Sequence, residues 1–164
     1  VRQWRELLNQ PGLRDACERT GIVPVFLMHP RFERHARCFE IPSWIQVQTY
    51  GEDIAPLIAR TRLLITDYSS LAFEAAYVGA PTVYFQFDRD EFFSGGHSSQ
   101  AGDFDYQLDG FGPVENSAPA VVDAIPSMLL EPNVALYTNR AEEFYSSHDS
   151  MNSARAVSAI ESLA

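Results

Sequence analysis

The architecture follows from one segment, Leu63-Leu64-Ile65-Thr66-Asp67-Tyr68-Ser69-Ser70-Leu71-Ala72-Phe73-Glu74-Ala75-Ala76-Tyr77-Val78-Gly79. It opens with a short apolar run typical of a buried parallel strand. Four polar residues follow, and the apolar positions after them have helical spacing up to Gly79, a residue favoured just past a helix end. The segment therefore predicts a strand, a polar turn and a helix.

Similar units lie on both sides of this segment. We predict strands at residues 22–28, 44–47, 63–66 and 82–85, and helices at 4–9, 13–19, 54–59, 71–78, 120–130, 138–146 and 153–163. Pro24 weakens the start of the first strand, and Pro126 is expected to kink or restart its helix. This alternation predicts an α/β fold with a Rossmann-like parallel sheet flanked by helices, in one domain over residues 1–164.

One segment breaks the alternation. Residues 88–114 contain five glycines among acidic and aromatic residues, which predicts a long functional or mobile loop. Its Phe104-Asp105-Tyr106 sequence is compatible with a gate over a site, but we favour a solvated surface loop there.

Composition limits the classes of function. The 164 residues are 46% apolar and 21% charged, which is typical of a soluble domain, and no apolar run is long enough to cross a bilayer. The net charge is −10, with nine arginines against seven carboxylates in residues 1–62 and three against fifteen in residues 63–164. This balance argues against nucleic acid as a partner, so an anionic ligand has to be held locally.

Two further features concern the cellular context. Cys17 and Cys38 have neither the spacing of a zinc site nor a disulfide framework, which fits a reducing cytosol, and no metal or other cofactor is implied. The chain opens without a Met or a signal-peptide pattern, so we expect it to be part of a longer protein.

The ends of the predicted strands are the first places to look for a site, because ligands of open parallel sheets bind beyond the carboxyl ends of the strands. Three ends carry polar residues, namely His29, the Thr49-Tyr50-Gly51 sequence and the Asp67-Tyr68-Ser69-Ser70 sequence. We expect all three to face one crevice.

The turn at residues 67–70 combines backbone N–H groups, two hydroxyls and a helix N-terminus, which predicts a phosphate site. The alternative is that Ser69 or Ser70 only caps the helix and Asp67 stabilises the turn. His29 can donate to a phosphate oxygen or carry a proton, or it can be a buried, hydrogen-bonded histidine at a strand end.

The residues Leu64–Glu74 are similar to the signature of the CDP-glycerol glycerophosphotransferase family, the teichoic-acid polymerases and primases. Flanking similarities are found at Met28-His29-Pro30 and at residues 50–57, 81–85, 111–114 and 149–160. The resemblance thus covers nearly the whole chain.

The resemblance implies a GT-B fold, of which this chain is the C-terminal, donor-binding half. Family members transfer glycerol phosphate, or a related polyol phosphate, from a CDP-activated donor to a hydroxyl of a lipid-linked or polymeric acceptor, and CMP is released. This chemistry takes place at the cytoplasmic face of the cell membrane, in the synthesis of teichoic-acid-like cell-wall polymers.

The resemblance also suggests roles for residues. It implies that His29 acts catalytically at the donor diphosphate, and that Asp67, Ser69 and Ser70 bind the phosphates. Some members have a basic residue where this chain has Leu27, which shifts diphosphate recognition to Arg31 or Arg34. We also expect donor contacts from two residues in the 50–57 stretch, Tyr50 and Asp53.

A second histidine of the family, in a His-Gly-Thr motif, has no counterpart in this sequence. The presumed base therefore belongs to the N-terminal GT-B domain of the same protein, and we expect the isolated chain to bind donor without turnover. Two alternatives remain open. One is a GT-B glycosyltransferase that uses a nucleotide sugar, read by an acidic residue such as Glu74, and the other is a non-catalytic nucleotide-binding module.

Overall fold

The computed structural model describes residues 1–49, 54–96, 104–130, 134–145, 147–149 and 151–163. Within them the chain alternates short parallel strands with helices. The strands are β1 (Val25–Met28), β2 (Gln46–Thr49), β3 (Leu64–Thr66), β4 (Thr82–Phe85) and β5 (Val114–Glu115). The α-helices are α1 (Arg2–Leu8), α2 (Pro11–Thr20), α3 (Ala55–Ile58), α4 (Leu71–Tyr77), α5 (Arg89–Glu91), α6 (Ala118–Leu130), α7 (Ala135–Phe144) and α8 (Asn152–Glu161). A 3₁₀ helix spans Pro30–Phe39 and a π-helical segment spans Phe92–Gly96.

All strand pairs are parallel, as predicted. In the described part of the chain they form two hydrogen-bonded groups, β1–β2 and β3–β4–β5, rather than one continuous sheet. The register aligns Val25 with Gln46 in the first group, and Leu64 with Thr82 in the second. The α/β fold class is confirmed.

β1 begins three residues later than predicted, for two local reasons. Gly21 ends α2 in the left-handed region (φ 65°), and the N–H of Ile22 donates to the carbonyl of Cys17, so Ile22 completes the helix end. Pro24 has no N–H to donate, although its carbonyl accepts from Gln46 (3.1 Å). Regular pairing therefore starts at Val25.

β4 lies at the centre of the molecule and is buried along its whole length. Val83 and Phe85 belong to the main core, which also includes side chains from α1, α2, α6 and β1. Tyr84 points to the opposite face, where its hydroxyl accepts from the N–H of Phe111. Helices and loops thus cover both faces of β4, as the continuous apolar run predicts.

β5 was not predicted. It is two residues long and exists because Gly112 allows the chain to approach β4 closely, since a Cβ at this position would collide with the carbonyl of Thr82. The N–H groups of Thr82 and Tyr84 donate to Phe111 and Pro113. The segment 88–114 thus holds α5, the π-helical turn and the beginning of β5.

α6 runs without interruption through Pro126, so the predicted restart at this residue is wrong. Its buried face, which includes Val121 and Ile125, packs against α1, α2 and β4, and this packing offsets the hydrogen bond that Pro126 cannot make. None of the helices in the described ranges is long and apolar enough to span a bilayer.

Candidate functional site

The turn at residues 67–70 joins the carboxyl end of β3 to α4, as the sequence predicts. Ser69 is half-buried and Ser70 is exposed. The Asp67 carboxylate accepts from the N–H of Tyr68 (2.7 Å), and the Ser69 hydroxyl oxygen accepts from the N–H of Leu71 (3.3 Å). Asp67 therefore stabilises the turn and Ser69 accepts from the first N–H of α4, as in the alternative interpretation, although the N-cap position itself is occupied by Ser70.

Several donors of this turn remain available to a ligand. The Ser69 hydroxyl still carries its own proton, and the Ser70 side chain makes no capping hydrogen bond. The N–H groups of Ser69 and Ser70 donate to none of the described residues. Two hydroxyls and two amides on consecutive residues form a donor set that suits a phosphate oxygen, even though α4 is only seven residues long.

Tyr68 is the most constrained residue of the turn. Its hydroxyl donates to the Asp88 carboxylate (3.0 Å), and its ring stacks on Phe92 with 3.7 Å between centroids and 9° between planes. Burial and the bond to Asp88 raise the pKa of Tyr68 well above its usual range, with a smaller contribution from Asp67. The neutral hydroxyl thus connects the end of β3 to the segment that follows β4.

Aromatic rings surround this tyrosine. Phe93 and Tyr106 contact the Tyr68 ring edge-on, and Tyr106 also contacts Tyr84 and Phe104. Phe104 and Tyr106 are half-buried, so the solvated surface loop favoured for Phe104-Asp105-Tyr106 is wrong. Tyr106 packs on Tyr84 and Phe104 packs against the core cluster that contains Phe111, because burying aromatic area is more favourable than leaving it in water.

Carboxylates dominate the electrostatics near the turn. Asp67 and Asp88 both lie close enough to Tyr68 to affect its ionisation. The N–H groups of Gln107 and Leu108 lower the pKa of Asp105, and Arg89 adds a smaller effect in the same direction. Arg89 follows Asp88 and is half-buried, and it is a cation near the strand ends that sequence reasoning missed.

Gln86 is a second residue that was missed. It follows β4 directly and is 2% exposed, yet neither the oxygen nor the nitrogen of its side-chain amide has a hydrogen-bond partner among the described residues. Its backbone N–H donates to the carbonyl of Glu115 (2.8 Å). A buried unsatisfied amide costs about 1–3 kcal/mol, so a bound ligand or water here would be stabilising. The signal in the sequence was a polar residue directly after an apolar strand.

His29 lies at the carboxyl end of β1, as predicted, but it is exposed rather than buried. It forms the N-cap of the 3₁₀ helix, where its Nδ1 accepts from the N–H of Arg31 (3.1 Å). A neutral ring whose Nδ1 accepts carries its proton on Nε2, so that nitrogen can act as a donor. Arg31 is also exposed.

The predicted site residues fall into separate groups. The first is Asp67, Ser69 and Ser70 on one turn, and the second is His29 with Arg31, but no described contact joins the two groups. Tyr50 and Asp53 lie outside the described residues. That all of these residues face one crevice stays a prediction.

Two cavities lie away from these groups. One of about 430 Å³ lies beside β5 and α6, where burial and the neighbouring Asp123 raise the pKa of Glu115. The other, about 510 Å³, lies between the end of α4 and α7 and includes Tyr77 and His148, whose rings stack. Neither contains a predicted site residue.

Comparison with known proteins identifies one family. Residues 2–162 match the model of the CDP-glycerol:poly(glycerophosphate) glycerophosphotransferases. The chain is 25% identical over 161 residues to the minor teichoic acid biosynthesis protein GgaB of Bacillus subtilis (strain 168), covering 96% of this chain and 17% of GgaB. It is 28% identical over 113 residues to the teichoic acid ribitol-phosphate polymerase TarL of Staphylococcus aureus (strain NCTC 8325 / PS 47), covering 66% of this chain and 19% of TarL.

Among solved structures, the wall teichoic acid polymerase TagF soaked with CDPG has a similar fold. A TM-score of 0.67 at 19% identity covers 96% of this chain and 38% of that one. A second structure of TagF with CDPG gives 0.52 at 16% identity, over 96% of this chain and 48% of that one. The likeness confirms the predicted GT-B type of α/β fold. The chain spans less than one fifth of the length of either curated relative.

Proposed function

Because the chain belongs to the family of CDP-glycerol:poly(glycerophosphate) glycerophosphotransferases, we propose that it binds the diphosphate of a CDP-polyol donor. In its protein it then takes part in the transfer of glycerol phosphate, or a related polyol phosphate, to a hydroxyl of a lipid-linked or polymeric acceptor. The relatives GgaB and TarL are named for teichoic acid synthesis, which supports a role in a polymer of that kind.

The observation that carries this proposal is the turn after β3. Ser69 and Ser70 offer two hydroxyls and two backbone N–H groups at the carboxyl end of a parallel strand. This is where open α/β sheets bind nucleotides, and none of these donors requires a lysine or arginine. The side chain of Asp67 already bonds the Tyr68 amide, so its proposed role is to shape the turn around the phosphates.

The proposed reaction is a substitution at phosphorus. An acceptor hydroxyl oxygen bonds to the β-phosphorus, the bond from that phosphorus to the bridging oxygen breaks, and CMP leaves with the bonding electrons. Donors that stabilise the charge growing on CMP accelerate this step. Nε2 of His29 can supply one such hydrogen bond, with Arg31 beside it as a cation.

The acceptor hydroxyl must also lose its proton. No His-Gly-Thr motif occurs in these 164 residues, so the base is proposed to come from the N-terminal GT-B domain of the same protein. The chain by itself is then expected to bind donor without turnover. In the full protein the reaction would take place at the cytoplasmic face of the membrane, where a lipid-linked acceptor is available.

Calorimetric titration tests the proposal. The chain is titrated with CDP-glycerol, CDP-ribitol, CMP and UDP-glucose, with and without EDTA. We expect a CDP-polyol to bind best, EDTA to have no effect and His29→Ala to weaken binding. A preference for UDP-glucose would support a nucleotide-sugar glycosyltransferase instead, and binding of none of the four would contradict the proposal.

A further inference from the structure

An exposed basic row begins two residues after His29. The 3₁₀ helix contains Arg31, Arg34 and Arg37, and all three side chains are exposed. None of them forms an ion pair with a described residue, whereas Arg5 pairs with Glu40, which follows this helix, and Arg14 pairs with Glu18. These three guanidinium groups are therefore available to a partner.

The geometry of the helix aligns the first two of these arginines, and the third lies beyond a bend. Residues three apart eclipse each other in a 3₁₀ helix and lie about 6 Å apart along its axis. Arg31 and Arg34 are one turn apart, and Arg37 follows after a bend at His35 (φ −110°, ψ 15°). Phe39 is buried against the core, and its ring contacts Phe26 and Phe32, so this helix is fixed to the protein on another side.

The charge of the row contrasts with the rest of the chain. Residues 29–39 hold three arginines against one carboxylate, that of Glu33, in a chain with a net charge of −10. Around the turn after β3, by contrast, Asp67 and Asp88 make the surroundings acidic. A ligand with many negative charges is therefore attracted more strongly to the 3₁₀ helix than to the turn after β3.

We propose that Arg34 and Arg37 bind successive phosphodiester groups of the acceptor polymer, in a row that continues from Arg31 and ends at His29. This inference rests on the proposed function, because the family is named for poly(glycerophosphate), a chain with one negative charge in each repeat. The growing end of the polymer then lies near His29, while the preceding repeats extend along the helix. A single glycerol phosphate at the position of the growing end has no preceding repeats, so it does not make the contacts with Arg34 and Arg37.

Binding of synthetic oligo(glycerol phosphate) tests this. The protein is titrated with oligomers of increasing length, from a single glycerol phosphate to a chain of several repeats. We expect affinity to rise with length over the first few repeats, and Arg34→Gln/Arg37→Gln to reduce binding of the long oligomer by about tenfold. The double variant should also make the salt dependence of binding shallower. The matched control, Arg2→Gln/Arg19→Gln, removes two exposed arginines from α1 and α2 and should bind like the wild type.

Three outcomes would overturn this inference, and the third is read against donor binding. One is an equal loss of oligomer binding in the control and the test variant, because net charge alone would then explain it. Another is wild-type binding to vesicles of phosphatidylglycerol and phosphatidylcholine that depends on Arg34 and Arg37, while the oligomers do not bind.

CDP-glycerol titration of the wild type is run in parallel. Its failure would contradict the proposed function, whereas donor binding without dependence of the oligomer on the arginines would contradict only the basic row.

Discussion

Tyr68 connects the turn after β3 to the residues that follow β4, through its bond to Asp88 and its stack on Phe92. The neighbouring residues Ser69 and Ser70 are the proposed phosphate ligands. A rigid Tyr68 therefore fixes the backbone from which both hydroxyls project. At the scale of single residues, the candidate site depends on this anchoring and on the cap made by His29.

Replacing Tyr68 by Phe removes the bond to Asp88 and keeps the ring. We expect the free energy of unfolding to fall by about 1–2 kcal/mol at neutral pH. Since the pKa of Tyr68 is raised in the folded protein, its stabilisation is complete below the unfolded pKa of about 10 and is lost as the pH rises above it. Urea unfolding between neutral and alkaline pH should show the difference from wild type shrinking above that value.

The control for this prediction is Tyr137→Phe. Tyr137 is also half-buried, and its hydroxyl bonds to none of the described residues. It should change the free energy of unfolding little at neutral pH. A Tyr68→Phe difference that stays constant at alkaline pH would show that the bond to Asp88 is not responsible.

Two substitutions of His29 separate its cap from its proposed chemistry. Asn at this position keeps an oxygen that can accept from the N–H of Arg31, whereas Ala has no acceptor. We expect His29→Asn to retain the stability of the wild type and His29→Ala to lose about 1 kcal/mol. Both should weaken binding of CDP-glycerol in calorimetry. Undiminished binding by both variants would remove His29 from the diphosphate site.

At the scale of elements, two helices depart from the usual pattern. α6 contains a proline in its interior and is nevertheless continuous, because its buried face is held by α1, α2 and β4. α8 is the opposite case, with every described residue from 151 to 163 exposed. Packing thus stabilises α6 despite its interior proline, whereas α8 depends on a few polar contacts.

Pro126→Ala should stabilise the protein. It restores a backbone N–H that can donate to the carbonyl of Val122, and we expect the free energy of unfolding to rise by about 1–3 kcal/mol. Pro119→Ala is the matched control, since Pro119 lies in the first turn of α6, where a proline is tolerated. Chemical denaturation measures both variants. Equal effects of the two substitutions would contradict this account of α6.

α8 should open at a low free energy and more easily in acid. It is held by Asp149, which accepts from Arg155, and by Asn152, which donates to Tyr77. Hydrogen bonds from Arg155 and from the N–H of Met151 lower the pKa of Asp149, so this stabilisation is present above the unfolded pKa of about 4 and is lost as the pH falls through the lower folded value.

Amide hydrogen exchange measures this opening. Protection in α8 should be far weaker than in α6 at neutral pH, and should decline further below pH of about 4 relative to an Asp149→Asn variant. Protection of α8 equal to that of α6 would show that contacts beyond those described hold it.

At the scale of the whole molecule, the two groups of strands differ in the charge at their carboxyl ends. The carboxyl end of β1 leads to the exposed arginines of the 3₁₀ helix, and the carboxyl end of β3 leads to a turn among carboxylates. In our proposals the donor diphosphate binds through hydroxyls and amides at β3, while the polyanionic acceptor is attracted to the arginines. The net charge of −10 then disfavours polyanions at other surfaces.

Local signals in the sequence predicted much of this arrangement. β4 was predicted with its observed bounds because all of its residues are buried, and Gly79 (φ 78°) follows α4 as expected. The position of Ser69 and Ser70 after β3 follows from the same alternation of strand and helix. Apolar runs and helix-end glycines are properties of neighbouring residues, so the sequence alone contains them.

Features that depend on distant residues were not predictable in this way. The bond from Tyr68 to Asp88 joins positions 20 apart in the sequence, and β5 exists only through its pairing with β4. The burial of the Gln86 amide depends on packing around the strand end, so the residue type alone did not reveal it. Whether His29 and Ser70 share one crevice remains a prediction.

The most direct test of the donor site is the affinity of Ser69→Ala/Ser70→Ala for CDP-glycerol, measured by calorimetry. A charge-assisted hydrogen bond contributes about 1.5–3 kcal/mol, so loss of both hydroxyls should weaken binding by about 3 kcal/mol. The control is Ser153→Ala/Ser158→Ala, which removes two exposed hydroxyls from α8 and should bind like the wild type. Unchanged affinity in a folded Ser69→Ala/Ser70→Ala variant would contradict the assignment of the donor phosphates to this turn.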